Sequence, residues 1–112
     1  MEELLGETLK HIEKAKSIND TETLKLEAWL ARTNLELFLV KLALMHGLEE
    51  RESPPEPKLK KNEPDRNLKL LNSAEENIKK ALKHLGEKDY VLTYENAWAA
   101  KNFLTKIVTS VT

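Results

Sequence analysis

All four prolines of this chain fall within one charged stretch, residues 49–66, and this placement constrains the fold more than any other feature. Proline lacks a backbone N–H and clashes with the preceding helical turn, so long helices are confined to the two flanking segments. Both flanks are rich in strong helix formers, with apolar residues three and four positions apart and no strand-like alternation. A chain of 112 residues folds around one core. The sequence therefore predicts a single all-α domain.

Four helices are predicted, and capping residues set their boundaries. The first spans about 3–18, and the second spans about 21–48 after Asn19-Asp20-Thr21, where an Asp or Thr oxygen supplies the N-cap. The third begins near Pro64 and stops at Gly86, and the fourth follows the N-cap Asp89. Two αα-hairpins joined by a proline-rich crossover predict a four-helix bundle. Hairpin 1, hairpin 2 and the linker between them are expected at about residues 3–48, 67–112 and 49–66.

The two hairpins resemble each other in sequence. Residues 28–32, Ala-Trp-Leu-Ala-Arg, reappear at 97–101 as Ala-Trp-Ala-Ala-Lys, and these segments hold the only two tryptophans of the chain. Internal duplication and the general similarity of alanine-rich helices both remain open as explanations. With the same offset, one apolar stripe superposes on the other, namely Ala28, Ala31, Leu35, Phe38 and Leu42 on Ala97, Ala100, Leu104, Ile107 and Val111.

Helix 2 carries a second apolar stripe besides the one that its own bundle needs. The first stripe, extended to Leu24 and Met45, is the expected core seam. The second keeps the same rhythm with Thr33 as its polar member, and it lies roughly 155° away at about 3.5 residues per turn. The apolar members of the second stripe are Leu26, Leu30, Leu37, Val40 and Leu44.

Two interpretations of the second stripe are open. Either helix 2 lies centrally, with helices of its own chain on both sides, or another copy or another protein covers the stripe. Four helices offer few ways to surround one of their number, so we favour a homo-oligomer, above all a two-fold dimer. A membrane span is disfavoured, because the apolar run at 35–45 is too short and contains Glu36 and Lys41.

Charge and composition argue against several chemistries. The 18 Lys and Arg nearly cancel the 19 Asp and Glu, so no net field attracts nucleic acid. The chain has no cysteine and no His-x-x-x-His pair, so zinc lacks its usual ligands. The residues three before the histidines are Thr8, Ala43 and Ala81, where a di-iron bundle needs carboxylates. We expect no metal, no cofactor and no catalytic activity.

Several residues have both a structural and a functional interpretation. His11 and His84 occupy nearly equivalent places in the hairpins and would suit a shared ligand site, yet histidine also stabilises a helix C-terminus, which we favour for His84 and His46. Trp29 and Trp98 are expected to pack beside small alanines rather than stack on a ligand. The lysines of helix 3 are interspersed with glutamates, which favours a mixed solvated surface over an RNA-binding edge. The linker is read as a plain crossover rather than a docking motif.

The origin and location of the chain are also predicted from composition. Abundant Lys and Glu, with no glutamine, resemble proteins of high-temperature organisms, which favours a thermophilic and archaeal source. The start Met-Glu-Glu lacks the basic-then-apolar pattern of a secretory signal, so a cytoplasmic protein is expected.

The helix, turn and helix from Ser73 to Ala100 include the turn Asp89-Tyr90-Val91 before an alanine-rich helix. This segment resembles small archaeal all-α families of unknown function and, more loosely, HEPN domains. HEPN ribonucleases carry an arginine followed four to six residues later by a histidine, and the nearest counterpart here is Lys41 with His46. The resemblance implies, as the alternative function, a noncatalytic nucleotide- or RNA-binding module and no catalytic residue.

Overall fold

The computed structural model describes residues 2–48 and 66–109, and these residues form four helices without a strand. The all-α fold of two helical hairpins is thereby confirmed. The expected linker lies outside the described residues, except for Arg66, which begins the third helix. The helices are α1 (Glu2–Lys16), α2 (Thr21–His46), α3 (Arg66–Gly86) and α4 (Tyr90–Val108).

The helix ends are capped largely as the sequence predicts. The Asp20 carboxylate accepts the Thr23 N–H at 3.1 Å, and the Asp89 carboxylate accepts the Leu92 N–H at 3.2 Å. Helix α2 ends two residues earlier than expected, because Gly47 adopts the left-handed conformation (φ 61°) and its N–H returns to a carbonyl of the last turn. These caps satisfy backbone groups that a helix end leaves without intrahelical partners.

The four helices pack in a square, in which α1 contacts α2 and α3, and α4 likewise contacts α2 and α3. Helices α2 and α4 are antiparallel, because His46 stacks on Tyr90 while Arg32 donates to Thr105 at 2.8 Å. The end of α2 therefore lies beside the end of α3. Helix α3 begins at the opposite end of the bundle, which is the topology of two hairpins joined by a long crossover.

The core lies between the helices, and the corresponding stripes of α2 and α4 are both buried. On α2 they are Ala28, Ala31, Leu35, Phe38 and Leu42, and on α4 they are Ala97, Ala100, Leu104 and Ile107. Val111, the last expected member, lies outside the described residues.

One expected core position is wrong. Met45, placed in the α2 seam, is 64 % exposed. Leu39 and Leu70 are buried instead, as are Thr8 and Thr93, whose hydroxyls donate to carbonyls four residues earlier. A polar residue whose hydroxyl is satisfied within its own helix can enter the core at low cost, and a polarity pattern does not detect this.

Candidate interaction surface

The face of α2 that points away from the core is apolar along most of its length. Leu26, Leu37, Val40 and Leu44 are 55, 47, 57 and 80 % exposed, and Leu30 is partly exposed. We call the set Leu26, Leu30, Thr33, Leu37, Val40 and Leu44 the outer stripe.

Helical geometry explains why the outer stripe is solvent-facing. At about 100° per residue its members span roughly 80° of the helix circumference. The stripe is centred nearly opposite the buried Leu35 and Leu42. Among the described residues, α2 contacts only α1 and α4. These two helices flank α2 and leave the outer stripe uncovered among the described residues.

The outer stripe carries no charge and no unsatisfied polar side chain. Its single hydroxyl, on Thr33, donates to the Trp29 carbonyl at 2.9 Å. The nearest charged side chains, Glu36 and Lys41, flank the stripe. Continuous apolar surface with polar margins is typical of sites that bind another protein.

Trp29 extends the apolar surface toward α4. Trp29 is 46 % exposed, so about half of the residue is covered within its own chain and the rest faces solvent. Trp98, its counterpart in the second hairpin, packs against the core and meets Tyr94 edge to face, with ring centroids 5.7 Å apart. The two tryptophans therefore occupy matching sequence positions in different environments.

A groove of about 510 Å³ runs between α2 and α4 beside the outer stripe. Aliphatic side chains of α2 form one wall, and the Tyr94 and Trp98 rings belong to the other. Within the part of the chain that the structure describes, its lining includes one carboxylate, one ammonium group and no histidine. The lining residues are Glu36, Leu39, Val40, Ala43, Leu44, Tyr94, Trp98 and Lys101.

A buried ion cluster, which sequence reasoning missed, joins α1 to α2. Glu27 is nearly inaccessible, and its two carboxylate oxygens lie 2.7 Å from His11 Nδ1 and 3.3 Å from Lys14 Nζ. The hydrogen bond from His11 lowers the pKa of Glu27, and Lys14 lowers it further, against the opposing effect of burial. His11 therefore has a structural partner on α2, whereas His84 Nδ1 lies 3.1 Å from Glu87 of its own hairpin.

The residues that resemble the HEPN pair do not meet. Lys41 is exposed on one flank of α2, whereas His46 stacks on Tyr90 with ring centroids 3.5 Å apart and the rings 12° from parallel. Their side chains leave the helix roughly 140° apart. No common cleft brings the two together among the described residues.

The lysines of α3 form a mixed surface with glutamates. Glu75 lies 3.0 Å from Lys16 of α1 and 3.6 Å from Lys79, and Lys80 lies 3.8 Å from Glu76. Although burial raises the pKa of Glu75, the two lysines lower it below its usual value. The helix thus alternates charge signs where RNA binding would need a cluster of one sign.

Other site types are not found among residues 2–48 and 66–109. No three His, Asp or Glu side chains in these ranges cluster closely enough to hold a metal ion. No helix in these ranges has the length and apolarity that a membrane crossing requires. Comparison of the chain with protein-family models, curated proteins and solved structures finds no match.

Proposed function

We propose that this chain is a small, cytoplasmic, non-catalytic protein that forms a homodimer through the outer stripe of α2 and acts through protein contacts. The observation that carries the proposal is the exposure of Leu26, Leu37, Val40 and Leu44 on one charge-free helix face. A helix that packs by a single face needs only one apolar stripe, and α2 has two.

The expected gain in free energy supports this proposal. Fully burying one leucine stabilises a complex by about 1.5–3 kcal/mol. Association costs an estimated 4–15 kcal/mol in lost translational and rotational freedom. A two-fold interface contains each stripe residue twice, so burying the remaining exposed apolar surface gives a gain of the same order as that cost.

The experiment that tests the proposal is static light scattering of the purified protein from about 1 to 100 μM, with a double variant that carries Leu37→Lys and Leu44→Lys. The unmodified protein is expected at twice the mass of the chain. The variant is expected at the mass of the chain, with unchanged far-UV circular dichroism, because the core side of α2 is untouched.

A matched control places the same change elsewhere on the surface. Leu68 and Leu92 are 43 and 38 % exposed and lie on α3 and α4, so Leu68→Lys with Leu92→Lys should leave the dimer intact. A monomeric unmodified protein would overturn the proposal. Equal dissociation in the control would show that the effect is not specific to α2.

A further inference from the structure

The outer stripe is symmetric about its own centre. Its members follow one another at spacings of four, three, four, three and four residues, so the pattern is unchanged when read backwards about position 35. When a second α2 lies antiparallel to the first, with the two helices crossing at position 35, residues at equal distances from that position face each other. The facing pairs are Leu26 with Leu44, Leu30 with Val40, and Thr33 with Leu37. These pairs set unlike heptad positions opposite each other, as antiparallel coiled coils do.

This register gives the exposed Trp29 a place to bind. Trp29 and Ala43 lie on the same flank of α2, the flank that faces α4. In an antiparallel pair the same flanks of both helices meet. Trp29 is six residues before the centre and Ala43 is eight residues after it, so Trp29 of one copy and Ala43 of the other lie within about 3 Å along the axis. Ala43 lines the groove between α2 and α4.

We infer that a second copy of this chain binds antiparallel to α2 and inserts its Trp29 into the groove beside Ala43, Tyr94 and Trp98. This inference rests on the proposed function and specifies its geometry. The groove supplies two aromatic rings and aliphatic side chains against which a large indole packs favourably, and Ala43 leaves room for it. Both copies make the contact, so the interface contains it twice.

A parallel pair would leave these features unused. Its two-fold axis runs along the helices and places the α4 flanks on opposite sides of the interface, so Trp29 would not meet the partner's groove. Antiparallel helices also oppose their dipoles favourably. In the antiparallel pair, Glu36 of one copy lies near Glu36 of the other, close to the two-fold axis. Within each chain Arg32 Nη2 lies 3.0 Å from the Glu36 carboxylate, so its positive charge offsets the repulsion between the two carboxylates.

The area available matches a small specific dimer. At the exposed fractions given above, Trp29 and the outer stripe offer roughly 550 Å² per copy, or roughly 1,100 Å² for the pair, just above the roughly 1,000 Å² that a specific interface should clear. The groove wall adds further contact area. Crystal contacts are mostly smaller than about 800 Å².

Engineered cysteines test the register, because the chain has no cysteine of its own. In the double variant Leu26→Cys with Leu44→Cys, each new thiol lies opposite its partner across the antiparallel interface, so mild oxidation is expected to give a covalent dimer. The two positions are about 27 Å apart along one α2, which excludes an intrachain disulfide. The single variant Leu26→Cys is the control and should remain uncrosslinked, since its two copies are also about 27 Å apart.

A second measurement tests the groove. Trp29→Ala should raise the dimer dissociation constant at least tenfold, whereas Met45→Ala, which shortens an exposed side chain of α2 outside the stripe, should change it less than twofold. Unfolding of each variant in urea at a concentration where it is monomeric should match the unmodified protein, which separates loss of binding from loss of folding.

The outcomes separate this inference from the proposed function. Light scattering that shows a monomer overturns both. A dimer in which Leu26→Cys crosslinks to itself, or in which positions 26 and 44 do not crosslink, overturns the antiparallel register alone. A dimer that crosslinks as expected but tolerates Trp29→Ala overturns the insertion into the groove.

Discussion

Helices α2 and α4 are alike on the side that faces the core and different on the side that faces away from it. Their buried stripes match position by position, with the same pair of alanines at the start of each. The same offset of 69 residues pairs the outer faces. The positions equivalent to Leu26, Leu30, Thr33, Leu37 and Val40 are Glu95, Ala99, Asn102 and Lys106 on α4 and Thr109, which follows α4.

Among the described residues, the packing of the core does not require the apolar outer stripe of α2. If the bundle needed apolar residues at these places, α4 would carry them too, because it contacts its neighbours with an equivalent core stripe. For example, α2 has the apolar Leu37 where α4 has the charged Lys106. This contrast supports the proposed contact of the outer stripe with a second copy of the chain.

The largest expected effect tests the similarity of the buried stripes on α2 and α4. Leu35 and Leu104 are equivalent and both fully buried, so Leu35→Ala and Leu104→Ala should each lower the free energy of unfolding by about 2–5 kcal/mol. Urea denaturation monitored by circular dichroism measures both. Leu37→Ala is the control and should lower it by less than about 1 kcal/mol in the monomer, because Leu37 faces solvent. A large cost for Leu37→Ala in the monomer would remove the distinction between the two faces.

A second prediction transfers the outer face of α4 to α2. The variant Leu26→Glu, Leu30→Ala, Thr33→Asn, Leu37→Lys and Val40→Thr should be monomeric at 100 μM and as helical as the unmodified protein. It loses apolar surface on one face and keeps the whole core stripe. Sedimentation velocity and circular dichroism check the two parts. A variant that still dimerises would place the interface elsewhere.

A third prediction concerns pH, since Glu27 of α2 is buried beside two titratable side chains of α1. At the equivalent position of α4 stands Asn96, whose amide donates to the Leu92 carbonyl four residues earlier. Because His11 lowers the pKa of Glu27, the stabilisation from Glu27 is present above the unfolded value near 4.5 and is lost as pH falls through the folded value.

Glu27→Gln should therefore lower the free energy of unfolding at pH 7 and flatten its decline below about pH 4.5. Urea denaturation between pH 7 and pH 3 measures both changes. Glu7→Gln, an exposed carboxylate on α1 that lies 3.4 Å from Lys10, is the matched control and should do neither. If the free energy of unfolding of Glu27→Gln declines below about pH 4.5 as steeply as that of the unmodified protein, other carboxylates control acid unfolding.

The sequence predicted the helices and both stripes of α2 because helical periodicity records which side chains share a face. It did not predict the exposure of Trp29 or the burial of Glu27. A tryptophan beside alanines packs equally well within a chain or against a partner, so local sequence does not distinguish the two. The burial of Glu27 depends on His11 and Lys14 of a neighbouring helix, and periodicity within one helix carries no information about such partners.

The smallest expected effect concerns two threonines on the outer faces. Thr33 on α2 and Thr109, which follows α4, each donate a hydroxyl hydrogen bond to the carbonyl four residues earlier, at 2.9 and 2.8 Å. Thr33→Val replaces that hydroxyl by a methyl group within the outer stripe, where about 0.8 kcal/mol is expected for each methylene-sized group buried. Since a dimer contains the position twice, about 1.6 kcal/mol is expected in total, and the dissociation constant should fall about fifteenfold, as measured by dilution calorimetry. Thr109→Val makes the same chemical change at the end of the polar outer face and should leave the constant unchanged. Equal effects at both positions would mean that general hydrophobicity, rather than the α2 interface, governs association.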